Sequence, residues 1–557
     1  MVAPRYHAGA IMRHLRRLGH GLAAGALAGA TLAALQFILW PEIPVSPGRA
    51  LLGLLLWSTW SALWLGGLSF LIVETSTLLA PGVAVQRGWS VPLWGWLAFG
   101  SLFLVALIAW WNRSLTRDYL LVAERDAIAT VGEVSAVVAL LLAVIAGSDR
   151  MRRRVGRWSV AIAAIAPIAA WLAWTDVPAR AVAPVATAAT LARPAHRLLL
   201  ITWEGADLPW LLPAIDAGDM PFLRVRRDGG AWGQLRTLRP PSRQASLSTI
   251  ATGCAPATHG VLGRRAYRVG WLSDQPVSLL LRGPWSSPNQ LPWWWWQRSA
   301  VPSYRRAPLW EIAEKAGMRI GIAGWPGGVR ASWSMPTPLA AEAPAFADLD
   351  GELRATVEPV LARRPDRAPA TRTAFAISSQ LASGVALRHA GDPVESLAFN
   401  TDLPARLRPL WTAGDGDTGQ EEVLRQTVKL LDAQLADLWS LVGGDDTLLV
   451  VVSPYGMAPP DPWRRLLKQA AGGEPRPVTA ADSPDGFVLF SGPGVAPATR
   501  LRGARLADVT ATTLYLLGLP VARDMAGRVL LEGVDDNLET SRPLRLVPSY
   551  PPTAPAH

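Results

Sequence analysis

The stretch Pro240–Gly260, PPSRQASLSTIATGCAPATHG, decides the reading of this chain. A strand-like run precedes it, a Pro-Pro turn opens it, and a small-residue helix start follows. It closes on Thr252-Gly253 and then His259-Gly260. A turn leading into a helix start is a place where backbone N–H groups are left free to receive an anion.

Outward from this loop, the sequence alternates buried strands with amphipathic helices. RLLLITW at 197–203 is an uninterrupted apolar run, as a strand of a parallel sheet requires. A helix over 207–217 comes next. Leu309–Ala316 and Met318–Ala323 repeat helix and strand. Val423–Leu441 has the period of an amphipathic helix, Asp446–Ser453 is a second central strand, and Phe487–Ser491 with a helix over Leu506–Leu517 completes the series. This order predicts a mostly parallel sheet covered on both faces. Ligand sites in such sheets lie beyond the C-terminal strand ends. Glu204-Gly205, the Pro240 loop and Ser453-Pro454-Tyr455-Gly456-Met457 all fall there.

The first third of the chain differs in kind. Half of all 557 residues are hydrophobic, and the excess is concentrated before residue 176. Five runs, Leu22–Trp40, Leu51–Ile72, Leu93–Trp111, Ala127–Gly147 and Trp158–Trp174, approach or exceed the roughly 20 apolar residues that cross a bilayer. Pro41-Glu42-Ile43-Pro44 offers no small-x-small cleavage site, so the first run is expected to persist as a helix. Arg5, Arg13, Arg16 and Arg17 precede the first run, and Arg150, Arg152, Arg153, Arg154 and Arg157 lie between the fourth and fifth. By the positive-inside rule both segments are cytoplasmic, and five spans leave the remainder outside. Arg113, Arg117 and Arg125 in the third loop oppose this pattern, partly offset by Asp118 and Glu124.

The net charge of +11 is thus largely a matter of orientation and contact with anionic membrane lipids, and does not argue for nucleic acid. A single cysteine, Cys254, excludes an internal disulfide. Glu133 lies inside the fourth run, within two turns of its start, and is the one acidic residue well inside a span. Tryptophans at the run ends suit interfacial anchoring. Trp293–Trp296, in an irregular region over 271–304, suits either a surface cap or a loop entering the headgroup layer. Residues 177–196, rich in Ala, Pro and Thr, read as a tether. The expected organisation is a membrane domain over 1–176, a tether over 177–196 and an extracytoplasmic domain over 197–557.

The Pro-Pro, Thr-Gly and His-Gly spacing resembles the nucleophile loop of the type I phosphodiesterase/nucleotide pyrophosphatase branch of the alkaline phosphatase superfamily. TWEGAD, APLWEIAEKAGMRIGIAGWPGG, DGFVLFSGPGV and DVTATTLYLLGLPVARDMAGRVLL share that family's cadence. The resemblance implies an alkaline-phosphatase-like three-layer α/β/α sandwich, here preceded by an all-α bundle of five transmembrane helices. It also implies a site with two divalent metal ions and a Ser or Thr nucleophile.

Position by position, the chain departs from what the resemblance implies. Counting from Pro240-Pro241 and from Thr252-Gly253 places the nucleophile at Arg243, which cannot attack phosphorus but can hold an anion. Ser242 stands next to it. The first Asp ligand is replaced by Glu204, and an Asp-His pair by Pro454 and Tyr455. Asp402 with Arg406 stands nearest to an Asp-x-x-x-His, and Asp482 takes a histidine's place. Of seven histidines only His259 and His389 lie in the domain apart from the last residue, His557, too few for the three imidazoles that the resemblance implies.

The expected protein is therefore a membrane-anchored, non-catalytic relative at the plasma membrane, with no cofactor. Arg243, Ser242, Tyr455 and Glu204 would receive an anionic group such as a phosphorylated lipid or glycan. The alternative is an active phosphodiesterase or lipid head-group phosphotransferase. In it Glu204, Asp402 and Asp482 would hold Mg²⁺, Mn²⁺ or Zn²⁺ and Ser242 would attack.

Overall fold

The computed structural model describes residues 4–39, 46–79, 93–177, 191–263, 266–268, 277–278, 297–299, 304–326, 331–338, 351–411, 418–457 and 483–552. The chain divides into two compact units, one of residues 1–181 with 265–300, the other of 182–264 with 301–557. Trp293–Trp296 and Asp482 lie outside the described residues, as does the tether before Leu191.

The first unit contains five helices long and apolar enough to cross a membrane, within His14–Leu39, Pro47–Ile72, Trp94–Leu115, Val122–Gly147 and Asp149–Thr175. The first helix meets the second along small residues. Gly21, Gly25 and Gly29 recur every four positions along the helix Pro4–Leu39, and therefore line one stripe. A Cβ at Gly25 would lie 2.7 Å from the Ser61 carbonyl oxygen, and one at Gly29 would lie 2.4 Å from that of Trp57. Such backbone approach brings apolar helices into close dispersion contact with one another. His14 and Arg17 meet Glu74 at 3.0 and 3.1 Å, so the start of the first helix and the end of the second lie at one end of the pair.

In the second unit a mixed sheet carries the fold. Its strands are β1 Arg197–Trp203, β2 Ala231–Arg236, β3 Ile320–Ala323, β4 Trp333–Met335, β5 Ser396–Thr401, β6 Thr447–Ser453, β7 Gly486–Ser491 and β8 Thr499–Arg505. Their spatial order is β8-β2-β7-β6-β1-β5-β3-β4 among the described residues. Every pairing is parallel except the two made by β7, which runs antiparallel to β2 and β6. The central strands β1, β5 and β6 are buried almost end to end, which explains the continuous apolar sequence of β1 and β6, whereas β5 buries the polar residues Ser396, Asn400 and Thr401 as well.

Helices cover both faces. Leu208–Asp216, Gly351–Arg363, Ala368–Gly391 and Thr418–Val442 pack with the sheet in one large apolar core around Trp203, Phe375, Phe399 and Trp411. Arg243–Thr252 and Leu506–Leu516 form a second group with Leu309–Lys315. The unit is a three-layer α/β/α sandwich, as the alternation of strand and helix predicts. The helices and strands expected from the sequence occur within a few residues of their predicted bounds, the largest difference being the start of Thr418–Val442.

Candidate functional site

The C-terminal ends of β1, β2, β5 and β6 lie along one edge of the sheet, because these four strands share a direction. Glu204 follows β1, the Pro240 loop follows β2, Asp402 follows β5, and Tyr455 follows β6. The fold thus gathers residues that are up to 251 positions apart in sequence.

Arg243 is the first residue of the helix Arg243–Thr252, with Ser242 as its N-cap. The guanidinium does not point away as a free anion receptor. It donates from Nε to Glu204 Oε2 at 2.5 Å and from Nη2 to Glu204 Oε1 at 2.7 Å, a two-point ion pair, and Nη2 lies 3.7 Å from Asp402 Oδ2. Each oxygen of Glu204 accepts a second bond: Asn400 Nδ2 donates to Oε1 at 2.8 Å and Tyr455 Oη to Oε2 at 2.9 Å. The Glu204 side chain has no solvent exposure. A carboxylate with four donors is saturated, and its partners match the planar geometry that makes an arginine pair strong.

Burial works against the charge on Arg243, yet the charge and hydrogen bonds of Glu204, with Asp402 beyond, outweigh it and hold the guanidinium above the ordinary arginine range. Burial, reinforced by the adjacent Glu204 charge, pushes the Tyr455 hydroxyl well above the ordinary phenol range. Tyr455 therefore serves as a neutral donor. Asp402 is taken up by Arg406, whose Nε donates to it at 2.6 Å one helical turn away.

This arrangement corrects two expectations. Glu204 was expected to be available to a ligand or metal, but Arg243 occupies both of its oxygens. Arg243 was expected to carry unspent charge for an anion, but Glu204 and Asp402 already balance much of it. What remains for a ligand is Nη1, which has no hydrogen-bond partner among the described residues, beside the amides of the helix start. Ser242 makes no side-chain capping bond. Among the described residues no histidine or carboxylate hydrogen-bonds its hydroxyl as a general base would.

A two-metal centre does not fit these residues. Zinc needs deprotonated imidazole, thiolate or carboxylate donors with free lone pairs. The oxygens of Glu204 are filled, Asp402 faces two arginines, and Tyr455 is held neutral. Among the described residues no group of three or more His, Cys, Asp or Glu side chains could hold a metal ion.

Sequence reading passed over a second ion pair beneath the first. Asp207 caps the helix Leu208–Asp216 by accepting from Trp210 N at 3.1 Å, and its other oxygen accepts from Met457 N at 3.1 Å. Arg408 Nη1 donates to the same oxygen at 2.7 Å and to Gly205 O at 2.6 Å. Asp207 was detectable as an acidic residue just before a Leu-Pro helix start. Arg408 and Asn400 offered no local signal.

The two glycines that close the Pro240 loop have a backbone reason. Gly253 and Gly260 cap helices with φ of 67° and 81°, a left-handed conformation that side chains disfavour. Between them His259 is buried and structural. Its Nδ1 accepts from Val261 N at 3.1 Å and its Nε2 lies 3.1 Å from Thr249 Oγ1. Burial drives its pKa down to about 3, against backbone hydrogen bonds that favour the proton. A histidine held neutral in the fold but titrating near ~6.5 when unfolded stabilises fully above that pH, and the contribution is lost as pH falls toward the folded value. Between pH 6 and 4 the wild-type chain is expected to lose up to about 1.4 kcal/mol per pH unit more than His259→Gln. Urea unfolding at several pH values would show this; equal slopes would refute it.

A three-layer sandwich with polar loops assembled at its parallel strand ends is the architecture of alkaline-phosphatase-like domains. Residues 198–471 match the family model described as type I phosphodiesterase / nucleotide pyrophosphatase, and the globular part of the chain belongs to that family. Among solved structures, the chain is similar to murine ectonucleotide pyrophosphatase / phosphodiesterase 5, inactive, in complex with AMP. That match has 13% identity and a TM-score of 0.35, and covers 58% of this chain and 95% of that one. Human ectonucleotide pyrophosphatase / phosphodiesterase 5 matches with 12% identity and a TM-score of 0.36, over 60% of this chain and 98% of that one. No curated protein matched the chain.

Proposed function

We propose that this protein is a membrane-anchored, non-catalytic member of its family, in which an arginine supplies the positive charge that metal ions supply in active relatives. The observation that carries this reading is the saturation of Glu204 by Arg243, Asn400 and Tyr455. The five apolar helices support insertion in a membrane, and their flanking arginines support a cytoplasmic N-terminus at the plasma membrane. On that topology the globular domain faces the extracytoplasmic, periplasmic side. Its ligand is an anionic component of the cell envelope, a phosphorylated lipid or glycan, held by Arg243 Nη1 and the amides at the start of Arg243–Thr252. This supports a role in binding or assembly, with lipids as neighbours and no nucleic acid.

The purified full-length protein is expected to carry no stoichiometric metal and to leave a chromogenic phosphodiester uncleaved. Ser242→Ala is expected to change neither result. Two tightly held metal ions, with turnover that disappears in Ser242→Ala, would overturn the proposal.

A further inference from the structure

Glu133 stands eleven residues, about 16 Å, along the helix Val122–Gly147. The apolar run predicted from the sequence begins at Ala127, but the helix starts at Val122, so the carboxylate is three turns from the end. Its side chain is exposed on the outside of the bundle, on the stripe that carries Val137, Leu140 and Val144, each at least half exposed. It has no hydrogen bond or ion pair among the described residues. On a helix that spans a membrane this position faces hydrocarbon, where an unpartnered carboxylate is costly.

The surroundings of Glu133 have the form of a helix seat. A groove of about 240 Å³ runs between Leu93–Leu115 and Val122–Gly147, floored by Ala129, Gly132 and Ala136 and walled by Trp110. Arg113 lines the same groove, but two residues from its helix end and without an ion pair to Glu133. Gly132 is closed against Ala109 of the neighbouring helix, 3.3 Å from where its Cβ would lie, while the small side chains of Ala129 and Ala136 leave room for another helix to approach.

From this geometry we infer that the groove receives a transmembrane helix of a different membrane protein, one bearing Lys, Arg or His at the depth of Glu133. Charge complementarity selects that occupant. An acyl chain would fill the groove but leave the carboxylate unpaired, and an anionic headgroup drawn to Arg113 near the helix end would leave it unpaired too. A second copy does not serve, because in the described spans this chain's own basic residues lie toward the span ends, from His20 in the first to Arg157 in the last. The inference rests on the membrane reading above but not on the state of the Glu204 site.

The test places a photo-crosslinking residue at Leu140, two turns from Glu133 on the same face, in the full-length protein in its own membranes. A discrete protein adduct is expected, its crosslinked peptide an apolar segment containing a basic residue. Glu133→Leu should reduce it about tenfold and Glu133→Gln less, as loss of one inter-helix polar contact predicts. Glu133→Lys combined with an acidic residue in place of the partner's base should restore it. The same crosslinker at Ile168, on another exposed face, should give none. An adduct of twice the chain's mass, one of lipid mass only, or one indifferent to Glu133→Leu would overturn the inference. Release of the wild-type protein by alkaline carbonate would overturn the membrane reading as well, and retention of every variant shows that the substitutions leave insertion intact.

Discussion

Replacing Arg243 with alanine is expected to cost about 3 kcal/mol of unfolding free energy, among the largest effects of any single substitution at the strand ends. The reason lies in what is left behind. Glu204 has no solvent exposure, and removal of its two-point partner strands a carboxylate with only Asn400 and Tyr455 as donors. Breaking a buried pair from one side costs about 3–5 kcal/mol in general. Arg243 is itself about a third exposed, and water entering its place moderates the loss, so the lower figure applies.

Paired replacement separates charge stranding from lost packing. Arg243→Met with Glu204→Gln is expected to recover most of the stability, because no charge is then left buried. Denaturant unfolding of the full-length chain in detergent measures both. If Arg243→Ala matched the wild type within ~0.5 kcal/mol, the ion pair would not be a structural element. The assignment of Glu204 as an occupied carboxylate would then fail too.

How far the sequence went can be judged at these residues. RLLLITW and DTLLVVVS could only be buried parallel strands, and with the βα alternation they placed Glu204, the Pro240 loop and Tyr455 at one sheet edge. The structure gathers all three. Partner choice was not legible. Whether Arg243 faces solvent or Glu204 depends on the approach of two strand ends 39 residues apart, and a linear pattern carries no distance. Asn400 was hidden because its strand, SLAFNT, is half polar in sequence although every residue of it is buried, so no apolar period marked it. Arg408 was hidden because its helix also carries Arg406, and nothing local separates the buried arginine from the one that holds Asp402.

The apolar unit shows the same division. Hydropathy found its five helices, each long and apolar enough to cross a membrane, since such runs are legible from composition and length alone. The fourth run begins at Ala127 and its helix five residues earlier, because Val122–Asp126 is helical but carries charges that hydropathy does not count. The glycine stripe of the first helix was present in the sequence as a four-residue spacing. Its meaning appears only against the Trp57 and Ser61 carbonyls.

The deeper ion pair gives the other large effect. Arg408 and Asp207 are both nearly buried, with side chains 8% and 3% exposed, and no solvent is positioned to replace either charge. Arg408 also donates to Gly205 O and Met457 O and lies 4.9 Å over the Trp210 ring, so one guanidinium ties the turns after β1 and β6 together. Arg408→Ala is expected to cost about 4 kcal/mol, more than Arg243→Ala, because both partners are shielded from water here. Arg408→Lys should lose nearly as much, since one ammonium cannot reach Asp207, Gly205 and Met457 from the same position. Asp207→Asn should cost less than Arg408→Ala, because the amide can still accept from Trp210 N while Arg408 keeps two carbonyl partners. Denaturant midpoints at constant m-value would establish this order. A lysine that restored full stability would show that charge alone, and not the planar three-way contact, holds the two turns in place.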